Sequence, residues 1–355
     1  MEKIVVFTPS LNIGGIERIL LTYAKGLADK GYNVTYLTLS NQGDFDFDNS
    51  QNLVFENLNT KRLRQALFAF IRFLRFHKPS TILCANEATM MVYISKVLSG
   101  ISTKIITSHH NYYENYLDLN FKNTFVPKFI YPRCFKTIAV SEGIRKMLLN
   151  DFNIKPNKVV TISNPIDIEQ IQYQANEMVN SLPHEYILFV GRFDKVKNIP
   201  FLINAFNLFN KKFPDVKLLL IGGGPESDMI IEYIKQSGLQ NSVELLGVKS
   251  NPFPYIKNAK IVVLSSISEA FPTVLLESLV LGKTIVSTPT YGGMDILKNG
   301  KYGYISKSIS DITNFYENLV QGYLKPLDAK VLEDYASSNY QLNLKVIELQ
   351  KAMEI

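Results

Sequence analysis

The sequence contains no tryptophan, only two cysteines and four histidines, and it lacks several short motifs of metal and nucleotide sites. Cys84 and Cys134 are far apart, and no C-x-x-C or H-E-x-x-H occurs, so neither a disulfide framework nor a zinc site is expected. G-x-G-x-x-G, the P-loop and G-x-S-x-G are also absent, which argues against dinucleotide-binding enzymes, P-loop NTPases and α/β-hydrolases. No apolar run reaches the ~18–20 residues of a membrane span, so we expect a cytoplasmic protein.

The positive charge is unevenly distributed along the chain. The net charge is +6, and no acidic residue lies between Glu56 and Glu87. The cations of that interval are Lys61, Arg62, Arg64, Arg72, Arg75 and Lys78. This pattern predicts one basic surface, and because no recognition motif accompanies it, nucleic acid is not an expected partner. The D-x-D spacing at Asp44, Asp46 and Asp48 lies in a polar loop and is interpreted as solvated, so no metal site is predicted.

Length and pattern together indicate two α/β domains. At 355 residues the chain exceeds the usual size of one domain. Short apolar strands alternate with amphipathic helices, first at 3–8, 33–39, 81–85, 104–107, 137–140 and 159–162, then at 186–190, 216–221, 243–246, 260–265 and 284–287. This alternation predicts parallel sheets with right-handed crossovers, here in two doubly wound, Rossmann-like domains facing each other across a central cleft.

The domain boundaries are predicted from the break at Asn164-Pro165 and the weakly patterned polar stretch behind it. The first domain is expected over residues 1–165, a linker over 166–184 and the second domain over 185–338. Residues 339–355 are predicted to be a C-terminal helix, whose docking partner the sequence does not reveal.

Glu269 and Glu277 are separated by seven residues and follow a short β-branched strand at 261–266. The pattern predicts one carboxylate on the loop at the strand's carboxyl end and the other opening a helix, where both can face a ligand crevice. The stretch between them would supply free N–H groups at a helix N-terminus, which favours phosphate. It consists of Phe271, Pro272, Thr273 and Val274. Together these features suggest a nucleotide-sugar site; the alternative is two solvated helix glutamates.

Two other clusters follow predicted strands of the second half. Arg192 and Lys197 come after the strand at 186–190, where two cations can neutralise a diphosphate without a metal. The alternative is two exposed loop cations. Gly223 is the middle of three consecutive glycines after the strand at 216–221, which indicates a close backbone approach.

In the first half, Gly14 and Gly15 lie between the first strand and the first helix. Adjacent glycines at a helix N-terminus let the backbone approach an anionic ligand, although a tight turn is an open alternative. Ser108-His109-His110-Asn111 follows the strand at 104–107. A histidine there can hydrogen-bond a sugar hydroxyl or position an acceptor, and we favour His110 for this role over a structural one.

In sequence order, GGIER, SHHN, AVSEGI, NPID, VGRFDKVKN, IGGGPE and EAFPTVLLE resemble the motifs of the retaining glycosyltransferases of family 4, which have the GT-B fold. The resemblance covers nearly the whole chain. It implies a nucleotide-diphosphate sugar donor, expected to be a UDP-hexose or UDP-N-acetylhexosamine, bound mainly by the C-terminal domain. A glycan or lipid-linked acceptor of surface polysaccharide or glycoconjugate synthesis would bind to the N-terminal domain. The family needs neither a metal nor a cofactor.

The resemblance also implies roles for individual residues. By motif match, Arg192 and Lys197 would hold the diphosphate, Glu269 the donor sugar's hydroxyls and Glu277 the nucleotide ribose. Gly15 would place its N–H near the phosphate, and His110 would lie near the transferred sugar. One departure concerns Gly292-Gly293-Met294-Asp295, because many members have a glutamate after this glycine pair. The side chain of Asp295 is one methylene shorter than a glutamate at this position of the donor-sugar pocket.

Two other functions compete with transfer. A nucleotide-sugar epimerase of the same architecture would need acid and base residues on both faces of the sugar, whereas the sequence offers one histidine pair and one glutamate pair. A non-catalytic nucleotide-sugar binding protein is disfavoured because both cations and both glutamates are present together.

The basic stretch has a second expected role, binding to an anionic membrane surface. On a helical wheel one apolar stripe should pack on the first sheet, formed by Leu63, Leu67, Phe70, Ile71 and Leu74. The opposite side carries Phe68, Arg72 and Phe76, with Lys61 and Arg75 beside them. Aromatics among cations suit a headgroup interface, at which a lipid-linked acceptor would be found. The alternative is that a loop within residues 112–135 covers Phe68 and Phe76.

Overall fold

The computed structural model of the chain describes residues 2–10, 15–40, 50–60, 63–111, 124–179 and 181–355. It divides into two compact units, Met1–Pro165 with Leu342–Ile355, and Ile166–Gln341. Several sequence features lie outside the described residues. These are Gly14, Asp44, Asp46, Asp48, Lys61 and Arg62.

Within the described residues, the first unit contains a parallel sheet of seven strands in the order β3-β2-β1-β4-β5-β6-β7. The strands are β1 (Lys3–Phe7), β2 (Asn33–Thr38), β3 (Leu53–Asn57), β4 (Thr81–Ala85), β5 (Lys104–His109), β6 (Lys136–Ala139) and β7 (Val159–Thr161). The α-helices are α1 (Gly15–Asp29), α2 (Leu67–His77), α3 (Ala88–Ser99), α4 (Glu142–Asn150) and the last helix, α13 (Leu342–Met353). The strand order reverses between β1 and β4, as in doubly wound folds.

The described part of the second unit has a parallel sheet of six strands in the order β10-β9-β8-β11-β12-β13. The strands are β8 (Tyr186–Val190), β9 (Lys217–Ile221), β10 (Val243–Gly247), β11 (Ile261–Leu264), β12 (Thr284–Ser287) and β13 (Tyr304–Ile305). The helices are α5 (Ile168–Gln174), α6 (Ile199–Lys212), α7 (Ser227–Gln236), α8 (Phe253–Asn258), α9 (Thr273–Val280), α10 (Tyr291–Ile296), α11 (Ile312–Leu324) and α12 (Ala329–Tyr340). Here the order reverses between β8 and β11.

Burial explains why these segments form strands. Every residue of β4 and of β11 is buried, since parallel strands covered on both faces read as continuous apolar runs. Helix α1 buries Ile19, Leu20, Tyr23 and Leu27, one apolar stripe with helical spacing, against the first sheet's core. The predicted α/β class with two doubly wound, Rossmann-like units is confirmed.

The last helix returns to the first unit. Val346 and Leu349 of α13 are fully buried in the same core as Leu20 of α1. Gly26 of α1 permits this approach, because a Cβ atom there would lie 2.6 Å from Val346 Cγ2. The docking partner that the sequence did not reveal is therefore α1.

Some elements differ from the prediction. Two edge strands, β3 and β13, were not predicted, because β3 is largely half-exposed and β13 has only two residues. Neither presents the continuous apolar run of a buried strand. The expected linker belongs to the second unit and contains α5, whose N-terminus is capped by Asp167 and whose Ile171 is buried.

Candidate functional site

The candidate site of the second unit lies at the carboxyl ends of β8 and β11. These strands pair with each other at the centre of the sheet, where the strand order reverses. Loops leaving such strands open a crevice that suits a ligand. The loop after β8 carries Arg192 and Lys197, and the loop after β11 carries Glu269. The sheet order therefore gathers three of the predicted residues around one position.

Lys197 and Glu269 contact each other directly. The ammonium of Lys197 is ion-paired with Oε1 of Glu269, and the two side chains are 21% and 14% exposed. Ser266 Oγ donates a second hydrogen bond, of 2.7 Å, to the same Glu269 oxygen. Such charge-assisted contacts are stronger than neutral hydrogen bonds. Both side chains are mostly buried and are bonded to each other, so Lys197 is not a freely solvated loop cation.

The two loops are also connected through their backbones. The N–H of Ile267 donates to the carbonyl of Val196 over 2.8 Å, and Ser265 Oγ donates to the carbonyl of Lys197 over 2.7 Å. Lys197 closes a short 3₁₀ turn, Lys195–Lys197. Its main chain and its ammonium are thus both held by the loop after β11, which pre-organises the cation.

Arg192 is more exposed than Lys197, with 71% of its side chain accessible. Its Nε donates to Asp194 Oδ2 at 3.2 Å, and Asp194 Oδ1 accepts the N–H of Lys197 at 3.3 Å. One carboxylate therefore caps the turn that bears Lys197 and orients Arg192. The outer guanidinium N–H groups remain suited to an anion.

The three glycines after β9 serve contacts between loops. Gly222 and Gly224 have φ angles of +148° and +159°, which side chains rarely adopt. A Cβ on Gly222 would lie 1.9 Å from the carbonyl oxygen of Gly191, and one on Gly224 would lie 2.4 Å from that of Phe193. Gly223 is less constrained, and its carbonyl accepts the N–H of Phe193 over 2.9 Å. The close approach predicted from these glycines therefore joins them to the loop carrying Arg192.

Glu277 lies inside a helix, which corrects the expectation that it opens one. Helix α9 begins at Thr273 and follows Pro272, whose side chain makes no capping hydrogen bond. Thr273 and Val274 form its first turn, where N–H groups lack intrahelical acceptors. Glu277 is 8% exposed, so the alternative of two solvated glutamates is wrong.

The glycine pair Gly292-Gly293 packs on the loop that carries Glu269. The N–H of Gly292 donates to the carbonyl of Glu269 at 3.0 Å, and a Cβ on Gly292 would lie 2.5 Å from the carbonyl oxygen of Ala270. Asp295 follows on α10 and is half-buried. Burial raises the pKa of Tyr340, its hydrogen bond with Tyr335 lowers it, and the charge of Asp295 raises it further.

The tyrosine pair Tyr335 and Tyr340 connects this region to Phe271. The Tyr340 ring lies 6.0 Å from the Phe271 ring, and its hydroxyl is 2.9 Å from that of Tyr335. Tyr335 also contacts the carbonyl of Ile296, at the end of α10. Phe271 is thus a buried anchor of the loop, with 9% exposure.

In the first unit, β5 extends through His109, further than the predicted end at residue 107. His109 is 1% exposed and its Nδ1 lies 2.9 Å from the hydroxyl of Tyr131. Burial lowers the pKa of His109 to about 4. Because His109 is a buried residue of β5, its position indicates a structural role.

His110 is half-buried at the carboxyl end of β5. Its backbone N–H donates to Asn86 Oδ1 at 3.0 Å, and its Nε2 lies 2.8 Å from Ser108 Oγ. Burial, with a smaller contribution from His109, lowers the pKa of His110 to about 3. The imidazole is therefore neutral at physiological pH and suits hydrogen bonding to a hydroxyl.

Gly15 is the first residue of α1. A Cβ atom on it would meet no described atom within 4 Å, so packing within the described chain does not require glycine here. The preceding residues, 11–14, are outside the described part of the chain.

Helix α2 has two exposed aromatic residues on its outer side. Phe68 is 82% and Phe76 80% exposed, and Arg72 between them is exposed too. The inner side buries Phe70, Phe73 and Leu74, whereas Leu67 and Ile71 are only half-buried and Leu63 precedes the helix. The buried side of α2 therefore differs from the predicted stripe, because it includes Phe73. Of the predicted loop within residues 112–135, no described residue covers Phe68 or Phe76.

Arg75 makes contacts to α3 that the sequence did not predict. Its Nη2 donates to the carbonyl of Leu98 at 3.1 Å and its Nε to that of Ser99 at 3.3 Å, at the C-terminus of α3. A cation at a helix C-terminus stabilises the last carbonyl groups. Arg75 is thus a link between α2 and α3.

Helix α3 packs beside α2 and also has exposed apolar residues. Its exposed large apolar residues recur with helical spacing and are Met90, Ile94, Val97 and Leu98. Among the described residues no helix is long and apolar enough to cross a bilayer.

The sequence pattern did not identify two residues that contact the predicted ones, Ser266 and Asp194. Both are small polar residues close behind a buried strand, which is the available signal, since carboxyl ends of parallel strands face the ligand side. Within the described ranges, no group of three or more histidine, cysteine or acidic side chains is placed to hold a metal ion.

Two families of known proteins match this chain, one in each half. The family described as "Glycosyltransferase Family 4" matches residues 13–170, and "Glycosyl transferases group 1" matches residues 175–336. A Campylobacter jejuni protein named N-acetylgalactosamine-N,N'-diacetylbacillosaminyl-diphospho-undecaprenol 4-alpha-N-acetylgalactosaminyltransferase is 27% identical over 325 residues, which span 86% of each chain.

Solved structures share the fold over the full chain. The crystal structure of Anabaena HepE in complex with UDP and glucose has a TM-score of 0.81 at 17% identity, covering 100% of both chains. A glycosyltransferase from Rickettsia africae has a TM-score of 0.81 at 16% identity, covering 99% of this chain and 98% of its own.

Proposed function

The chain belongs to glycosyltransferase family 4 and has the GT-B fold, and on this basis we propose that it transfers a sugar from a UDP-sugar with retention of anomeric configuration. The acceptor is a glycan or a lipid-linked glycan of surface polysaccharide or glycoconjugate synthesis. One observation carries the proposal. At the switch point of the second sheet, Lys197, suited to a diphosphate, is paired with Glu269, suited to sugar hydroxyls.

The donor and acceptor classes are supported by similarity. HepE, which shares the fold, was crystallised with UDP and glucose, and the Campylobacter relative is named for transfer of N-acetylgalactosamine onto a diphospho-undecaprenol-linked sugar. We therefore assign a UDP-hexose or UDP-N-acetylhexosamine as donor and favour a lipid-linked acceptor.

The proposed reaction breaks the bond between the anomeric carbon and the diphosphate oxygen, whose electron pair goes to the diphosphate. Arg192 and Lys197 offset this growing negative charge, an electrostatic role that is often the largest part of catalysis. The diphosphate oxygen that leaves takes the proton of the acceptor hydroxyl on the same face, while that hydroxyl forms the new bond to the anomeric carbon. Two cations at the diphosphate make a divalent metal unnecessary in this scheme.

The remaining donor contacts follow from the position of α9. Its first turn, with Thr273 and Val274, offers N–H groups to the diphosphate, while Phe271 and Pro272 shape the approach. Glu269 binds hydroxyls of the donor sugar, and Glu277 binds the ribose. The backbone of Gly223 lies beside the loop that carries Arg192 and Lys197, since its carbonyl accepts the N–H of Phe193.

The first unit is proposed to hold the acceptor. His110, neutral and half-buried, hydrogen-bonds a hydroxyl near the transferred sugar, and Gly15 presents its N–H to phosphate at the start of α1. The exposed aromatic and cationic side of α2, with the apolar stripe of α3, contacts an anionic membrane surface that carries the acceptor.

A thermal-shift screen tests the donor assignment. The protein would be heated with UDP, GDP and ADP and with their hexose and N-acetylhexosamine esters, because a ligand of the native state raises the unfolding temperature by mass action. Stabilisation by UDP compounds only, followed by transfer to an added acceptor with retained configuration, is the expected result. No stabilisation by any nucleotide would contradict the proposal, and conversion of the sugar without an acceptor would indicate an epimerase.

A further inference from the structure

Ser266 lies behind the proposed donor-sugar carboxylate and is completely buried. Its hydroxyl donates a 2.7 Å hydrogen bond to Glu269 Oε1, three residues further along the loop. We propose that Ser266 is a positioning residue, which fixes the rotamer of Glu269 so that Oε2 is presented to the donor sugar. This inference rests on the proposed function.

The backbone of Ser266 is itself held in place. Thr288 Oγ1, just beyond β12, donates to the carbonyl of Ser266 at 2.6 Å. The carbonyl of Glu269 accepts the N–H of Gly292 at 3.0 Å. Both ends of the short segment between Ser266 and Glu269 are therefore anchored to elements that follow β12, and the serine hydroxyl acts from a rigid support.

The second partner of Glu269 explains why this support is needed. Oε1 is also paired with Lys197, whose ammonium, at the end of a four-carbon stem, is proposed to bind the diphosphate as well. Lysine alone would let the carboxylate follow the ammonium when a donor enters. A carboxylate held through one oxygen by the buried serine keeps its other oxygen in a constant direction, which matters because small displacements of a catalytic group are costly.

The serine next to it has a different partner. Ser265 Oγ donates to the carbonyl of Lys197 and not to a carboxylate. Ser266 is thus the serine of this pair whose hydroxyl addresses the proposed sugar-binding group. Its loss should affect the sugar and leave the nucleotide largely untouched.

The experiment compares wild type, Ser266→Ala and Ser266→Cys with the control Ser278→Ala. Ser278 is equally buried, but its hydroxyl donates to the carbonyl of Val274 within α9. Donor kcat and KM are measured by transfer assay, and affinity for UDP alone by calorimetry. We expect kcat of Ser266→Ala to fall about tenfold, since the lost hydrogen bond is to a charged group, while UDP affinity stays within about twofold. Ser266→Cys, with a weaker donor, should be intermediate.

A double-mutant cycle with Glu269→Ala separates positioning from general damage. Ser266→Ala should lower kcat by less than about twofold further in the Glu269→Ala background, because each change removes the same hydrogen bond. Additive effects, an unchanged kcat in Ser266→Ala, or equal loss of UDP affinity and turnover would each overturn the inference. If Ser266→Ala does not fold, the same comparisons are made with Ser266→Cys. Wild type that neither binds UDP nor turns over a nucleotide sugar would instead overturn the proposed function.

Discussion

The ammonium of Lys197 is ion-paired with the carboxylate of Glu269, a residue 72 positions further along the chain. An ammonium has three N–H donors, so Lys197 can keep this contact and still donate to a diphosphate. The ion pair connects Lys197, which is proposed to bind the diphosphate leaving group, to Glu269, which is proposed to bind the donor sugar. Each therefore depends on the other for its position.

Loss of either cation should impair transfer severely. Lys197→Ala and Arg192→Ala are each expected to lower donor kcat/KM by about 10²-fold or more, because a contact to the charge developing on the diphosphate disappears. Steady-state kinetics with the UDP-sugar measure this effect. Lys195→Ala, on the same 3₁₀ turn, is the control and should remain within about twofold of wild type. Near-wild-type kcat/KM in both cation variants would contradict the diphosphate assignment.

The two glutamates should differ in which kinetic constant they change. Glu277→Gln should chiefly raise the donor KM, since a ribose contact is similar in the ground and transition states, whereas Glu269→Gln should lower kcat. Glutamine keeps the size of the side chain, which matters because Glu277 is buried inside α9. Complete donor saturation curves for both variants test this. The reverse division would show that the two roles are exchanged.

The buried histidine of β5 predicts a pH-dependent stability. Burial lowers the folded-state pKa of His109 from 6.5 to about 4, so the unfolded chain binds this proton first as the pH falls. Above about pH 6.5 His109 is neutral in both the folded and the unfolded state and does not lower the free energy of unfolding. Between about pH 6.5 and pH 4 the free energy of unfolding falls by roughly 3 kcal/mol, because only the unfolded chain binds the proton. Urea unfolding at both ends of this range measures it.

The variant His109→Gln should weaken this pH dependence, because it removes the titrating ring while keeping a polar group near Tyr131. The neighbouring His110 shares the same direction of shift and stays in both proteins. His184→Gln, at an exposed position, is the control for the exchange of histidine for glutamine. Identical pH dependence in wild type and His109→Gln would show that the ring does not titrate in this way.

The outer surface of α2 should bind anionic vesicles. Wild type is expected to sediment with anionic and not with neutral liposomes at low salt, since each cation near such a surface contributes roughly 1 kcal/mol. Arg72→Glu and, separately, Phe68→Ser/Phe76→Ser should release it. Arg75 is left unchanged because it holds α3, and Lys211→Glu in the second unit is the charge-matched control. Equal sedimentation of all variants, or none of wild type, would remove the membrane proposal and leave the transferase proposal intact.

Local sequence pattern was sufficient for most of the fold. Strands β4, β8 and β12 have the predicted bounds, because a fully buried parallel strand is an uninterrupted apolar run between polar loops. The positions of Arg192, Lys197 and Glu269 just beyond strand ends follow from the same pattern. The short edge strands β3 and β13 escaped it, since a half-exposed or two-residue strand carries no such run.

Tertiary structure decided how these residues are used. The pairing of Lys197 with Glu269 and the return of α13 to the first unit are contacts between segments distant in sequence. The burial of Ser266 and of Glu277 also depends on the assembled unit. Arg75, predicted to face a membrane, also binds the end of α3, a contact that the sequence did not predict. Periodicity reports which face of an element is apolar, but the partner of that face depends on strand order and helix packing, which form only when the whole sheet is assembled.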